Sequence, residues 1–117
     1  MAFRIKRVYE DPAADDGYRV LVDRLWPRGL SKERAELDEW NKDVAPSTAL
    51  RTWFHHDPSR FTEFAERYRA ELDENPAVDA LQQRGAGEAV VSLLFSATDP
   101  EFNQAVVLRD YLAERAR

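Results

Sequence analysis

Ala89-Val90-Val91-Ser92-Leu93-Leu94-Phe95-Ser96-Ala97 decides the fold. Apart from its two serines the run is apolar at odd and even positions alike, which is how a strand reads when helices cover both faces of its sheet. It is read as the central strand. Asp99-Pro100 ends it and opens a last helix, with Phe102, Ala105, Val106, Leu108 and Leu112 facing inward and Arg109, Glu114 and Arg117 outward. Asp99 is read as the cap of that helix, where its charge suits the helix dipole and, with Glu101, disfavours an anion.

Towards the N-terminus, Phe3, Ile5 and Val8-Tyr9 give a first strand over about residues 3 to 9, on β-branched and aromatic content as much as on alternation. Asp11-Pro12 and Asp16-Gly17 break the chain, and Arg19-Val20-Leu21-Val22-Asp23-Arg24 forms a second strand. It ends at Leu25-Trp26-Pro27-Arg28-Gly29, because Pro27 lacks a ladder donor and Gly29 frees the backbone. Only about nine residues separate the two strands, fewer than the dozen or so of an ordinary parallel crossover. A hairpin and a very abbreviated crossover are both open.

Between these strands and the central one, helix starts recur. Ser31 caps a helix with Leu37, Trp40 and Val44 on one face; Ala45-Pro46-Ser47 breaks it, and Ser47 caps a short helix carrying Leu50, Trp53 and Phe54. Asp57-Pro58 opens an amphipathic helix through Phe61, Phe64, Ala65, Tyr68 and Leu72. Asn75-Pro76 opens another through Val78 and Leu81, closed by Gly85 and Gly87 as left-handed caps. The expected class is therefore α/β: one domain over residues 1–117, with a few-stranded, largely parallel sheet centred near 89–97 and covered by helices.

Composition agrees with one compact domain. The 117 residues include 17 Lys and Arg, 22 Asp and Glu, two His and no Cys, with 44% hydrophobic residues to build a core. Without Cys there is no disulfide framework, thiolate zinc site or cysteine nucleophile. No apolar stretch approaches the ~18 residues of a membrane span and no leader pattern stands at the start, so the cytoplasm is the expected location. Charge is uneven: residues 1–34 carry a net +2 and residues 35–117 a net −7. The basic clusters are Arg4-Lys6-Arg7 and Arg24-Arg28-Lys32-Arg34, within a chain of pI 5.1 that is far from the pI above about 9 usual for a non-specific nucleic-acid binder.

Ligands of open α/β sheets collect beyond the carboxyl ends of strands. The second strand delivers Asp23, Arg24, Trp26 and Arg28 there, and the central strand delivers Ser96 to Asp99 with Asn103 and Gln104 close behind. If the strands run parallel, the two segments meet, and Arg24 and Arg28 can clamp a carboxylate or phosphate. The duller alternative is an ion-pair network of Asp23 with Arg24 or Arg28, and Trp26 as a plug for its own loop. The only histidines lie in Trp53-Phe54-His55-His56-Asp57-Pro58. Adjacent side chains diverge and Asp57 is wanted as a cap, so no metal site is read; His56 is the candidate general base. Gly-rich phosphate loops and nucleophile elbows are missing.

Lys6-Arg7-Val8-Tyr9, the run from Asp16 to Glu33 with Asp23-Arg24-Leu25-Trp26-Pro27-Arg28-Gly29 at its heart, Ala45-Pro46-Ser47, Leu50-Arg51-Thr52-Trp53-Phe54, His56-Asp57-Pro58 and Arg67-Tyr68 closely resemble the bacterial YeaO-like family, domain of unknown function 488. The resemblance spans nearly the whole chain and implies a compact cytosolic α/β domain, without implying a reaction. It matches His56 to the family's His-Asp-Pro. The family pattern ends Asp-x-x-x-Asn-His-Ala, whereas this chain has Asn103-Gln104-Ala105, and an amide neither titrates nor binds metals well.

The expected function is binding of a small anionic ligand, a phosphate-bearing metabolite or nucleotide, in a cleft formed by Asp23, Arg24, Trp26, Arg28, His56 and Asn103. His56 and Asp23 would carry proton transfer if the protein is a hydrolase or transferase; no cofactor or oligomeric state is read from the residues. The alternative is a non-enzymatic interaction module presenting Arg4, Lys6, Arg28, Lys32 and Arg34 to an acidic partner or nucleic acid.

Overall fold

The computed structural model describes residues 2–116. Its single sheet holds β1 (Ala2–Arg7), β2 (Tyr18–Leu21), β3 (Glu39–Trp40) and β4 (Val90–Phe95) in the order β1-β4-β2-β3, with every neighbouring pair parallel. Five helices surround it: α1 (Lys32–Ala35), α2 (Thr48–Phe54), α3 (Phe61–Asp73), α4 (Pro76–Gly85) and α5 (Gln104–Arg115).

β4 is the inner strand foreseen from its two-faced apolar run. Val91, Leu93 and Phe95 point into the larger core with Phe64, Tyr68 and Leu72 of α3 and Leu108 and Leu112 of α5. Leu94, on the alternate face, packs with Val8, Leu21, Leu30 and Ala35. Ser92 also faces that side, and its buried hydroxyl donates to the Asp16 carbonyl at 2.6 Å.

β1 and β2 flank β4 and both run parallel to it, so the short connection is a crossover and not a hairpin. A buried carboxylate, at the end of a single 3-10 turn over Ala14–Asp16, holds that connection in place of an α-helix. Asp16 accepts from Lys6 Nζ at 3.0 Å, from Arg19 Nη1 at 2.5 Å and from the Ala13 amide at 3.0 Å. Gly17 follows with φ +65°, and a Cβ there would lie 2.3 Å from the Val90 carbonyl oxygen, so only glycine passes.

Three expectations are corrected. The helix from Ser31 stops at Ala35, and Leu37, Trp40 and Val44 do not share its face, because the next segment pairs with the open edge of β2. Asp38 both donates to and accepts from the Arg19 backbone, at 2.9 and 2.8 Å, and the Asn41 amide donates to the Leu21 carbonyl at 2.8 Å. Gly85 lies within α4 and the cap is the right-handed Ala86; among the described glycines only Gly17 and Gly29 have positive φ. The last helix begins at Gln104, capped by Asn103, whereas Asp99 closes a preceding turn by accepting the Glu101 and Phe102 amides at 2.9 and 3.0 Å. Of the residues expected to face outward from it, Arg117 lies outside the described residues.

No helix among the described residues is long and apolar enough to cross a membrane.

Candidate functional site

Because β2 and β4 are parallel, their carboxyl ends deliver Asp23 to Arg28 and Ser96-Ala97 to one place, a cleft of about 190 Å³ that α2 closes from the side. Asp23 sits where the strands end. It is 8% exposed, and its Oδ2 accepts the Ser96 amide at 3.0 Å while Oδ1 accepts Gln104 Nε2 at 2.5 Å. Its carbonyl accepts Trp40 Nε1 at 2.8 Å. One residue thus joins β2, the end of β4, the start of α5 and β3. Burial raises the Asp23 carboxyl above the usual carboxylate range, against the opposing pull of Ser96, Gln104 and the nearby Arg51 charge. No Arg or Lys forms an ion pair with it among the described residues, so the Asp23 network with Arg24 or Arg28 weighed above is not what holds the loop.

Arg24 lines the cleft but has a structural duty. Its Nε donates to the Pro46 carbonyl and its Nη2 to the Ala45 carbonyl, both at 3.2 Å. The segment it grips is held again from behind: Tyr68 donates to the Val44 carbonyl at 2.5 Å, and Glu71 accepts from the Ser47 amide and hydroxyl at 2.9 and 2.6 Å. This makes a rigid wall.

Trp26 is half-buried, donates through Nε1 to the Leu30 carbonyl at 2.7 Å and meets Trp40 edge to face at 5.3 Å. It therefore plugs its loop and walls the cleft at once. The Arg28 carbonyl accepts the Tyr9 hydroxyl at 2.7 Å, and Gly29 turns the chain with φ +75°. That fixes the backbone under Arg28, whose exposed guanidinium has no partner among the described residues.

Arg51, which the sequence reading quoted without giving it a role, lines the same cleft from α2. It is half-buried, makes no hydrogen bond or ion pair through its side chain among the described residues, and acts on Asp23 only through its field. The signal that could have found it is its place on the short helix, three residues before Phe54 and hence on the same face. Phe54 stacks on Phe64 at 4.2 Å and lines the cleft beside it.

His55 and His56 diverge as expected. His55 ends α2 in the left-handed region at φ +47°, and His56 follows at φ +53° with its ring tilted against Phe54 at 6.1 Å. Two successive non-glycine residues in that region are uncommon. They turn His56 to the cleft while His55 stays off its lining. The Asp99 carboxyl is held below the usual range by the Glu101 and Phe102 amides, with a smaller pull from the nearby His56.

Asn103 is the one candidate that the structure keeps away. It is fully buried; its Oδ1 accepts the Val106 amide at 3.1 Å and its Nδ2 donates to the Asp99 carbonyl at 2.8 Å, so both ends are consumed in capping α5. Gln104, its neighbour, is the residue of that pair that reaches the cleft. The basic face is also largely neutralised: Lys6 is bound to Asp16, and Arg4 and Arg34 lie 3.7 Å from Asp15 and Asp11. No group of three or more His, Asp or Glu among the described residues is placed to hold a metal ion.

A family model described as the inactive DUF488-N3 subclade matches residues 2–117. This chain belongs to the YeaO-like DUF488 family. Its relatives include the uncharacterized protein Rv3073c of Mycobacterium tuberculosis, 46% identical over 96% of this chain and 94% of that one. The uncharacterized protein YeaO of Escherichia coli is 43% identical over 96% of this chain and 97% of its own. No solved structure matches the chain. Within this DUF488 member, the Gln104 amide donates to the Asp23 carboxylate.

Proposed function

We propose that the protein binds a small anionic ligand, bearing a phosphate or a carboxylate, in the cleft between β2, β4 and α2, and that it holds this ligand without turning it over. The observation that carries the reading is the pair Arg28 and Arg51. Two guanidinium groups that make no hydrogen bond or ion pair among the described residues open onto a cleft whose one lining carboxylate, Asp23, is already hydrogen-bonded by Ser96 and Gln104. Positive charge in a half-enclosed site attracts and orients an anion, and a guanidinium fork matches a carboxylate or phosphate edge. Arg24 serves by fixing the wall, and Trp26 and Phe54 supply flat apolar sides.

The volume restricts the ligand. About 190 Å³ lies below the roughly 300 Å³ at which drug-sized sites begin, so the cleft takes an anionic head with a small body and not a whole nucleotide. Binding without catalysis rests on Gln104. A carboxylate paired with histidine passes protons, whereas an amide only holds the carboxylate in place. The family model's own description as inactive accords with this, and the proposal accordingly gives His56 and Asp23 no hydrolase or transferase role.

The test is a thermal-shift screen of the purified protein against inorganic phosphate, small phosphate esters and short carboxylic acids. A ligand that stabilises the parent and not Arg28→Ala or Arg51→Ala supports the assignment. Equal stabilisation of parent and both variants removes it, and release of product from a phosphate ester by the pure protein removes the non-catalytic half.

A further inference from the structure

Asp23 is placed unusually for a carboxylate among arginines. Arg24, Arg28 and Arg51 line the same cleft, yet none comes within ion-pair distance of it: Arg24 turns to the Ala45 and Pro46 carbonyls, and Arg51 acts only through its field. The floor of the cleft therefore keeps its negative group separate from its positive ones. The Asp23 position is fixed from two sides, by the Ser96 amide and by Gln104, and Gln104 is itself fixed as the first residue of α5. Ionised carboxylates offer about four acceptor sites; the Ser96 amide and side chain and Gln104 take up three, and Asp23 itself lines the cleft.

A bare anion entering here would gain from Arg28 and Arg51 and lose against Asp23. A ligand with a hydroxyl or ammonium beside its anion gains from both. On the reading of the cleft as an anion site, we infer that its ligand carries a hydrogen-bond donor for Asp23 as well as an anion for Arg28 and Arg51, which makes it a small hydroxy- or amino-substituted carboxylate or phosphate. The spacing of the two ends follows from the size of the cleft, which holds a body of a few carbons. Such sites discriminate strongly, because the analogue lacking its donor leaves a buried acceptor unmatched.

Matched pairs test this in the unmodified protein: lactate against propionate, alanine against propionate, and glycerol 3-phosphate against propyl phosphate, each titrated by calorimetry at constant ionic strength. In at least one pair the donor-bearing member is expected to bind about tenfold tighter or more. Asp23→Asn then narrows that gap, and it keeps its fold because the Gln104 amide can rotate to present its oxygen to the new NH2 while Ser96 still meets an oxygen. Arg28→Ala weakens both members of a pair alike. If both members bind the parent equally and Arg28→Ala weakens both, the donor inference is overturned and the anion site stands. Should neither member of any pair bind, the anion site and the inference fall together.

Discussion

Arg28 and Arg51 are side chains whose removal leaves the fold with little to lose. Neither guanidinium holds another part of the protein, so Arg28→Ala and Arg51→Ala are each expected to change stability by no more than about 0.5 kcal/mol, read by denaturant unfolding. Arg24→Ala behaves differently. It strips two carbonyls of their donors and frees the Ala45-Pro46 wall, and a loss of about 1–3 kcal/mol is expected. Asp23 gives a pH signature of the opposite sign to most carboxylates. Burial raises its pKa in the folded protein above the unfolded value, so its contribution is full below the unfolded pKa and is lost as pH rises through the folded one. Asp23→Asn removes that loss. The variant should melt higher than the parent at pH 7, and the gain should vanish towards pH 3.5 in melting curves taken at both values; a constant difference would show that Asp23 does not titrate abnormally.

At the scale of elements, the termini of α5 and β2 are set by single residues. Asn103→Ala removes the cap of α5 and orphans the half-buried Asp99 carbonyl, which should cost about 1–2 kcal/mol. Gly17→Ala meets both a positive φ and the Val90 carbonyl, so a loss above about 2 kcal/mol is expected, since the backbone has to move before β2 can pair with β4. These positions also show what the chain made legible. The two-faced apolar run of β4 and the apolar spacing of α3 report burial directly, and both elements were read from them. Leu37 and Trp40 are spaced as on a helix yet lie beyond α1, because hydrogen bonds to the Arg19 and Leu21 backbones outweigh local preference, and such partners lie about twenty residues away in the chain. Asp99 and Asn103 are both good caps. Which of them starts α5 depends on where Gln104 must stand to meet Asp23.

Taken whole, the molecule places the proposed anion site at the end of a parallel sheet and its buried ion pairs at the crossover between β1 and β2. For that reason Asp23, Arg24, Trp26 and Arg28 were traceable from the sequence once the strands ran parallel, whereas Arg51 was not, since only the packing of α2 against the sheet brings it there, and His56 follows from the turn that ends the same helix. Acid should unfold the protein through a different set of groups. Burial opposes the ionisation of Asp16 and Glu39, but the Ala13 amide, Lys6 and Arg19 outweigh it for the first, and Arg84, Tyr18 and Asn41 for the second, so both carboxyls lie below their usual values. Their stabilisation is present above the unfolded pKa and is lost as pH falls through the folded one. Melting temperature should therefore drop steeply below about pH 4, and Lys6→Met should flatten part of that drop.

Arg28 and Arg51 are the two hands of the proposed anion site. The direct measurement is the melting temperature of the parent, Arg28→Ala, Arg51→Ala and the double variant against phosphate concentration, at constant ionic strength so that screening is common to all four. The parent should rise with the logarithm of phosphate once its dissociation constant is passed, reaching about 2.7 kcal/mol of added stability at a hundredfold excess over that constant. Each single variant should respond only at higher concentration and the double variant not at all. Four superimposable curves, or a parent that does not respond to phosphate or to any small carboxylate put in its place, would contradict it.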